Sequence, residues 1–257
     1  MSSLRFAVGL PTVGEFGDVR TLVELAVAAE EHGWDAVYLW DHLLYHDRDW
    51  PVANSVVALS AIAARTERIR LGILMTALPR RRVQTVARET ASIDQLSGGR
   101  LVFGAGLGSM DAEYADFGEQ TDLRVRAAKL DASLDQLTEL WQRFRPAPVQ
   151  RPRIPIWCPG RWPIRAGLRR AARWDGAMPT FADYGRDRPV PPDEVARVVD
   201  FLASERGGLD GFDIAIEGDR RLADPSSYRG LTWWIEAMGW WRGGVADART
   251  TISNGPR

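Results

Sequence analysis

Short apolar runs alternate with helical patterns eight times along this chain, and that rhythm restricts the fold more than any single residue does. RFAVGL (Arg5–Leu10), AVYLW (Ala36–Trp40), IRLGILM (Ile69–Met75) and RLVFGAG from Arg100 read as four strands. IPIWC, DGAMP, FDIAIEG and LTWWIE supply four more. The runs are largely continuous in apolar character, as parallel strands covered on both faces require. The stretch DVRTLVELAVAAEEHG sets Leu22, Leu25, Ala26 and Ala29 at helical spacing, with Asp18 placed to cap the first turn and Gly33 to end the last. Further helices are expected over Val52–Arg65, from Val83 to the Gly98-Gly99 pair, and over Arg124–Phe144, Pro163–Arg173, Pro192–Ser204 and Ala246–Ser253.

Eight strands and their helices in about 250 residues predict the α/β class and a (β/α)8 TIM-like barrel. The segment DRRLADPSSYRG, between the last two strands, is too short and turn-rich for a full helix, so the seventh outer helix is expected to be rudimentary. The proline-rich RPAPVQRPRIP joins a helix to a strand inside the pattern and reads as a stiff connector. A single domain over 1–257 is expected.

Composition narrows the partners. With 33 basic and 34 acidic residues the formal charge is -1, and no basic stripe points to nucleic acid. No apolar run approaches the roughly 18 residues of a membrane span. The start, MSSLRFAVGL, has no long apolar segment or cleavage site of a signal peptide. Cys158 is the only cysteine, which excludes an internal disulfide and suits a reducing cytoplasm. Of the three histidines, His42 and His46 could join Asp41 around a metal, but no further ligand cluster accompanies them, so no metal is expected. A small-molecule substrate is the expected partner.

LVFGAGLGSM (Leu101–Met110) resembles at first the phosphate-cradling turn of a dinucleotide-binding domain. That fingerprint needs G-x-G-x-x-G at the first strand-to-helix turn. Here Gly104, Gly106 and Gly108 place the third glycine one residue early, Ser109 holds its position, and the stretch follows the fourth strand. At the C-terminal end of a barrel strand the bare backbone would instead let a flat ring approach closely. A flexible strand exit serving no ligand is the alternative.

Several stretches together resemble the bacterial luciferase-like flavin- and deazaflavin-dependent oxidoreductases: AEEHGWDAVYLWDHLL, the block from Thr66 to Gly108, RAAKLDASLDQLTELW and LRRAARWDGAMP. The resemblance covers most of the chain from residue 5 to about 237. It implies a TIM-like barrel, in a short variant, that binds FMN or the 8-hydroxy-5-deazaflavin coenzyme F-420 at its C-terminal mouth. It implies catalysis by hydride transfer from reduced F-420 or by oxygen activation on reduced FMN, with a monooxygenase or reductase outcome, and a homodimer. Asp41 and His42 match the acidic-His pair that ends the second strand beside the ring, and are the candidate catalytic and cofactor-binding residues. A non-proline cis peptide on the third strand would fall at Leu74–Met75, followed by Thr76, and Gly104, Gly106 and Gly108 would pass near the ring. Where the family carries a Gly-Gly pair for phosphate, this chain has Pro159-Gly160. Pro159 lacks the N–H, so Arg161 or Arg165 would have to compensate. Ser109 stands where some deazaflavin-dependent members carry a catalytic Glu, which argues against sugar-phosphate dehydrogenase chemistry.

Other residues carry weaker signals. Tyr45, His46 and Trp50 are candidates, with Ser109, for a substrate pocket. Glu113 either pairs with an arginine at the surface, the favoured reading, or faces the pocket, and Arg80, Arg81 and Arg82 either meet an anion or brace the barrel rim. One of Trp233 and Trp234 should face the interior and the other the helical layer. Exposed Trp240 and Trp241 would suggest a dimer interface. Two competing functions stay open at this point, a non-catalytic flavin-binding barrel and a metal-dependent barrel hydrolase.

Overall fold

In the computed structural model, residues 4–185 and 188–256 are described. The strands are β1 (Arg5–Leu10), β2 (Ala36–Leu39), β3 (Arg70–Ala77), β4 (Leu101–Gly106), β5 (Ile156–Trp162), β6 (Gly176–Phe181), β7 (Asp213–Gly218) and β8 (Trp233–Ala237). They pair in sequence order, all parallel, and β8 closes on β1. The helices are α1 (Val19–Glu31), α2 (Ser55–Arg65), α3 (Val83–Leu96), α4 (Ala112–Ala115), α5 (Leu123–Arg143), α6 (Arg165–Ala171), α7 (Pro192–Arg206) and α8 (Gly244–Ser253). Asp18 caps α1 by accepting from the Thr21 amide at 2.8 Å, and Gly33 follows with φ +80°, as the sequence pattern requires. Between β7 and β8 only the turn Pro225–Ser227 is helical, a 3-10 turn, so the seventh outer helix is indeed reduced to almost nothing.

Alternation along the strands builds two cores. The outer core lies between sheet and helices. The inner one fills the barrel with Tyr38, Trp157 and Trp233, whose ring centroids lie 5.6–6.1 Å apart, against the small Ala7, Ala36 and Ala215. Trp233 points inward, and Trp234 points out and stacks on Tyr228. Among the described residues, no helix is long and apolar enough to cross a membrane.

Candidate functional site

The C-terminal exits of β2, β3 and β4 converge on one buried acid–base cluster. Tyr38 belongs to the inner core and Leu39 to the outer, so alternation turns Trp40 inward and Asp41 outward. Asp41 therefore does not face the barrel interior. Its Oδ1 accepts from Ser55 Oγ at 3.0 Å, its Oδ2 from the Ala77 amide at 3.1 Å, and Arg80 lies 3.2 Å from Oδ2. These contacts tie β2 to α2 and to the end of β3.

His42 comes next and reaches Glu113, on the single turn α4, with Nδ1 3.2 Å from Oε1. Glu113 is not a surface residue: it is 1% exposed. It does meet an arginine, Arg80, at 2.6 Å, and the Leu43 amide also donates to it at 2.6 Å. Burial alone would raise its pKa, but the His42 bond, the Arg80 charge and the Leu43 amide outweigh burial and hold the carboxyl below its ordinary value. An ionised carboxylate can only accept, so the proton of neutral His42 sits on Nδ1 and Nε2 is the atom left to exchange a proton. Arg80 also donates to the Asp41 carbonyl at 2.8 Å, which makes it the brace of the rim.

The third strand carries the non-proline cis peptide at Leu74–Met75. Register with β4 slips there: Ile73 pairs with Phe103 and Thr76 with Ala105, so two β3 residues stand against Gly104 alone. A Cβ on Gly104 would lie 2.4 Å from the Ile73 carbonyl oxygen and 2.5 Å from Leu74 Cδ2. The space this glycine leaves is thus taken first by the bulge rather than left open to a ring. Gly106 is less crowded, with the Met75 and Pro159 side chains 3.2 Å from its Cβ position. Gly108 has φ +78° and sits under Tyr114, whose hydroxyl donates to the Leu107 carbonyl. Thr76 is buried with its hydroxyl unpartnered, and Ser109 is exposed.

The loop after β2 and the turn after β8 make an aromatic wall. Trp40 and Trp241 stack at 5.8 Å with 10° between planes. Trp240 meets Trp40, Tyr45 and Trp50 edge-on at 4.9–6.2 Å, and Tyr45 touches His42 and His46 at 5.0 and 4.8 Å. Tyr45, His46 and Trp50 therefore lie together, and Trp240 and Trp241 join them, partly buried. Behind this turn a second cluster anchors it: Arg242 pairs with Glu236 at 2.8 Å and Asp219 at 3.2 Å, and Glu236 also receives Trp234 Nε1 and Arg220.

Two mouth residues escaped the sequence reading. Trp40 and Glu217 both face inward. The signal was in the alternation: Ala215 and Glu217 share one face of DIAIEG, and Glu217 lies across Ile235 with its carboxylate 3.3 Å from the Cβ position of Gly9.

A flat, largely apolar ring fits this mouth at one end. The cis bulge and the bare Gly106 give it a floor and His42 Nε2 a polar neighbour, whereas Thr76 pairs with Ala105 and turns its unpartnered hydroxyl toward the helical layer. The phosphate end differs. Gly160 packs against α6 so closely that a Cβ would lie 2.6 Å from the Leu168 amide nitrogen, and Pro159 donates nothing. Arg161 is exposed there, whereas Arg165 turns over the Phe201 ring at 5.2 Å. Cys158 is fully buried, with its thiol pushed up to about 12 by burial, and cannot serve as a nucleophile. Among the described residues, no group of three or more His, Cys, Asp and Glu could hold a metal ion.

Comparison with known proteins gives a family match described as luciferase-like monooxygenase over residues 3–219. An F-420-dependent glucose-6-phosphate dehydrogenase of Gordonia bronchialis is 34% identical over 138 residues, 52% of this chain and 41% of the relative. Its counterpart in Nakamurella multipartita is 37% identical over 123 residues, 47% of this chain and 36% of the relative. The matches thus span about two fifths of these relatives' length. Among solved structures, an F-420-dependent secondary alcohol dehydrogenase in complex with an F-420–acetone adduct superposes with a TM-score of 0.69 at 19% identity, covering 84% of this chain and 69% of that one. The FMN complex of a type II Baeyer–Villiger monooxygenase from Pseudomonas putida gives 0.68 at 14% identity, covering 84% and 67%. At such identities the superpositions establish a shared fold.

Proposed function

The chain belongs to the luciferase-like monooxygenase family, and from that premise we propose that it is an oxidoreductase using a flavin-type cofactor, F-420 ahead of FMN, on a small organic substrate. The observation that carries this reading is the His42–Glu113 pair at the exit of β2, next to the cis bulge of β3. Two things favour F-420: the dehydrogenases that are 34–37% identical to this chain over 123–138 residues carry it in their names, and a proton-exchanging histidine suits a reaction in which a carbonyl and an alcohol interconvert.

In this proposal Leu74, Met75, Thr76 and Gly106 hold the ring, with Gly104 and Gly108 shaping the backbone beneath it and Arg161 at the phosphate end. The cofactor, when bound, supplies the hydride. The protein supplies the rest. Glu113 fixes the tautomer of His42, and Nε2 takes or gives the proton at the substrate oxygen. Asp41 acts through the backbone it braces. Tyr45, His46, Trp50 and Ser109 border the substrate, and the tryptophan turn excludes water. Ser109, in place of an acid, favours a substrate other than a sugar phosphate. A homodimer and a cytoplasmic setting complete the proposal, the first to be checked by sedimentation equilibrium.

The test is a titration of the full chain with F-420 and with FMN, followed by turnover of His42→Gln. Binding of F-420 with a loss of about 10²–10⁴-fold in turnover, and little change in cofactor affinity, is the expected result. If neither cofactor binds below about 100 μM, roughly 5.5 kcal/mol, the reading is wrong.

A further inference from the structure

β6 and β7 are joined by only two residue pairs, Gly176 with Asp213 and Ala177 with Ile214. Both strands continue four residues further, to Phe181 and Gly218, paired with β5 and β8 but not with each other. The upper ends therefore part. On the outer side α7 packs Val195, Val198 and Val199 into the helical layer, and beside it the β7-to-β8 connection adds only the Pro225–Ser227 turn in place of a helix. A cavity of about 150 Å³ occupies the gap. Its inner end is formed by Met178 and Glu217, which face the barrel interior, and its walls by Phe181, Ile216, Leu222 and Ala223. Tyr228 closes the back, held by its stack on Trp234 and by its hydroxyl donating to the Val190 carbonyl at 2.8 Å.

We propose that this split between β6 and β7 is a specificity slot that takes the apolar arm of the substrate while the reacting carbon stays in the mouth. A mostly apolar cavity of this volume takes a guest of about benzene size, so the arm is an alkyl chain or ring of about six carbons. The inference rests on the oxidoreductase reading for the carbonyl or alcohol head of the substrate, but the slot itself follows from the strand register and the cavity beside it. Glu217, at the junction of slot and mouth, stands where the polar head must turn toward His42.

The experiment measures, by titration calorimetry on the full chain, the binding of methyl n-alkyl ketones from acetone to 2-decanone. Affinity should rise about fourfold per added methylene, the equivalent of about 0.8 kcal/mol, and level off after about six arm carbons. Two plugs, Ala223→Phe from the wall and Leu222→Trp from the rim, should cancel the gain for the longer ketones and leave acetone unchanged. The rim variant guards against misfolding of the first, because Leu222 is 48% exposed. Affinity that ignores chain length, or a gain that survives both plugs in folded protein, overturns the slot. Failure to bind F-420 or FMN would instead overturn the oxidoreductase reading and leave the length dependence standing, so the two failures are distinct.

Discussion

Two buried acid–arginine clusters brace the mouth, and they are built alike up to one residue. Under the β2 exit, Arg80, 3% exposed in its side chain, joins Asp41 and Glu113. Under the β7 and β8 exits, Arg242, at 6%, joins Asp219 and Glu236. Each clamps two carboxylates from different segments around one guanidinium, whose planar fork suits that task. The difference is what completes them. Glu113 carries the imidazole of His42, whereas Glu236 carries the indole of Trp234 and the guanidinium of Arg220. Satisfied buried charge is therefore common to both sides of the mouth, and only the β2 side adds an imidazole to it.

Removing the central arginines separates the two most strongly. Arg80→Met strands Asp41 and Glu113, leaving the His42 ring beside Glu113 and the partly exposed Arg81 as the cation nearest Asp41. The expected cost is about 3–5 kcal/mol, measured by urea unfolding. Arg242→Met should cost less, about 1–3 kcal/mol, because Arg220 still reaches Glu236 and Arg221 still reaches Asp219. The reverse order would show that the β8 side, not the β2 side, carries the rim.

Acid sharpens the same contrast at smaller amplitude. Glu113 and Asp219 both have pKa values lowered in the fold, in each case against burial, which alone would raise them; His42 and Arg80 outweigh it for Glu113, Arg221 and Arg242 for Asp219. A lowered folded pKa contributes stability that is present above the ordinary carboxyl range and is lost as pH falls through the folded value. Unfolding followed from pH 6 to pH 3 should show the stability advantage of wild type over Glu113→Gln shrinking as pH drops. For Asp219→Asn the shrinkage has the same sign and a smaller size, since its partner Arg221 is 62% exposed and screened by solvent. Equal slopes would mean that burial of the partner does not matter.

The sequence carried the barrel because its evidence is periodic. Continuous apolar strands, the Asp18 cap, the Gly98-Gly99 stop and the short segment before β8 each act within a few residues of themselves, so they can be read locally. The site was legible only in part. Tyr45, His46 and Trp50 were close in sequence and proved close in space. Glu113 was misplaced on the surface because its burial depends on Arg80 and His42, 33 and 71 residues away. Gly104 was assigned to a ring because nothing local shows that a bulge on the neighbouring strand needs that volume first. Whether Trp240 and Trp241 stand exposed could not be read locally, because the turn that folds them inward is held by Arg242 against β7 and β8.

That last dependence yields the smallest effect and the most local one. Arg242 also donates to the Ala237 carbonyl, so its loss frees the Gly239–Arg242 turn from both the strand and the carboxylates. In Arg242→Met, amide hydrogen exchange in the turn should speed by about tenfold, roughly 1.4 kcal/mol of local opening, while the amides of α4 keep their wild-type rates. In Arg80→Met, studied where it remains folded, the pattern should invert, with α4 and its Glu113 opening first. Acceleration of both segments in either variant would mean that the aromatic wall couples the two clusters, since Trp40 and Tyr45 from the first side contact Trp240 from the second. The mouth would then behave as one rim, and a proton moved at His42 would be felt at the tryptophan turn.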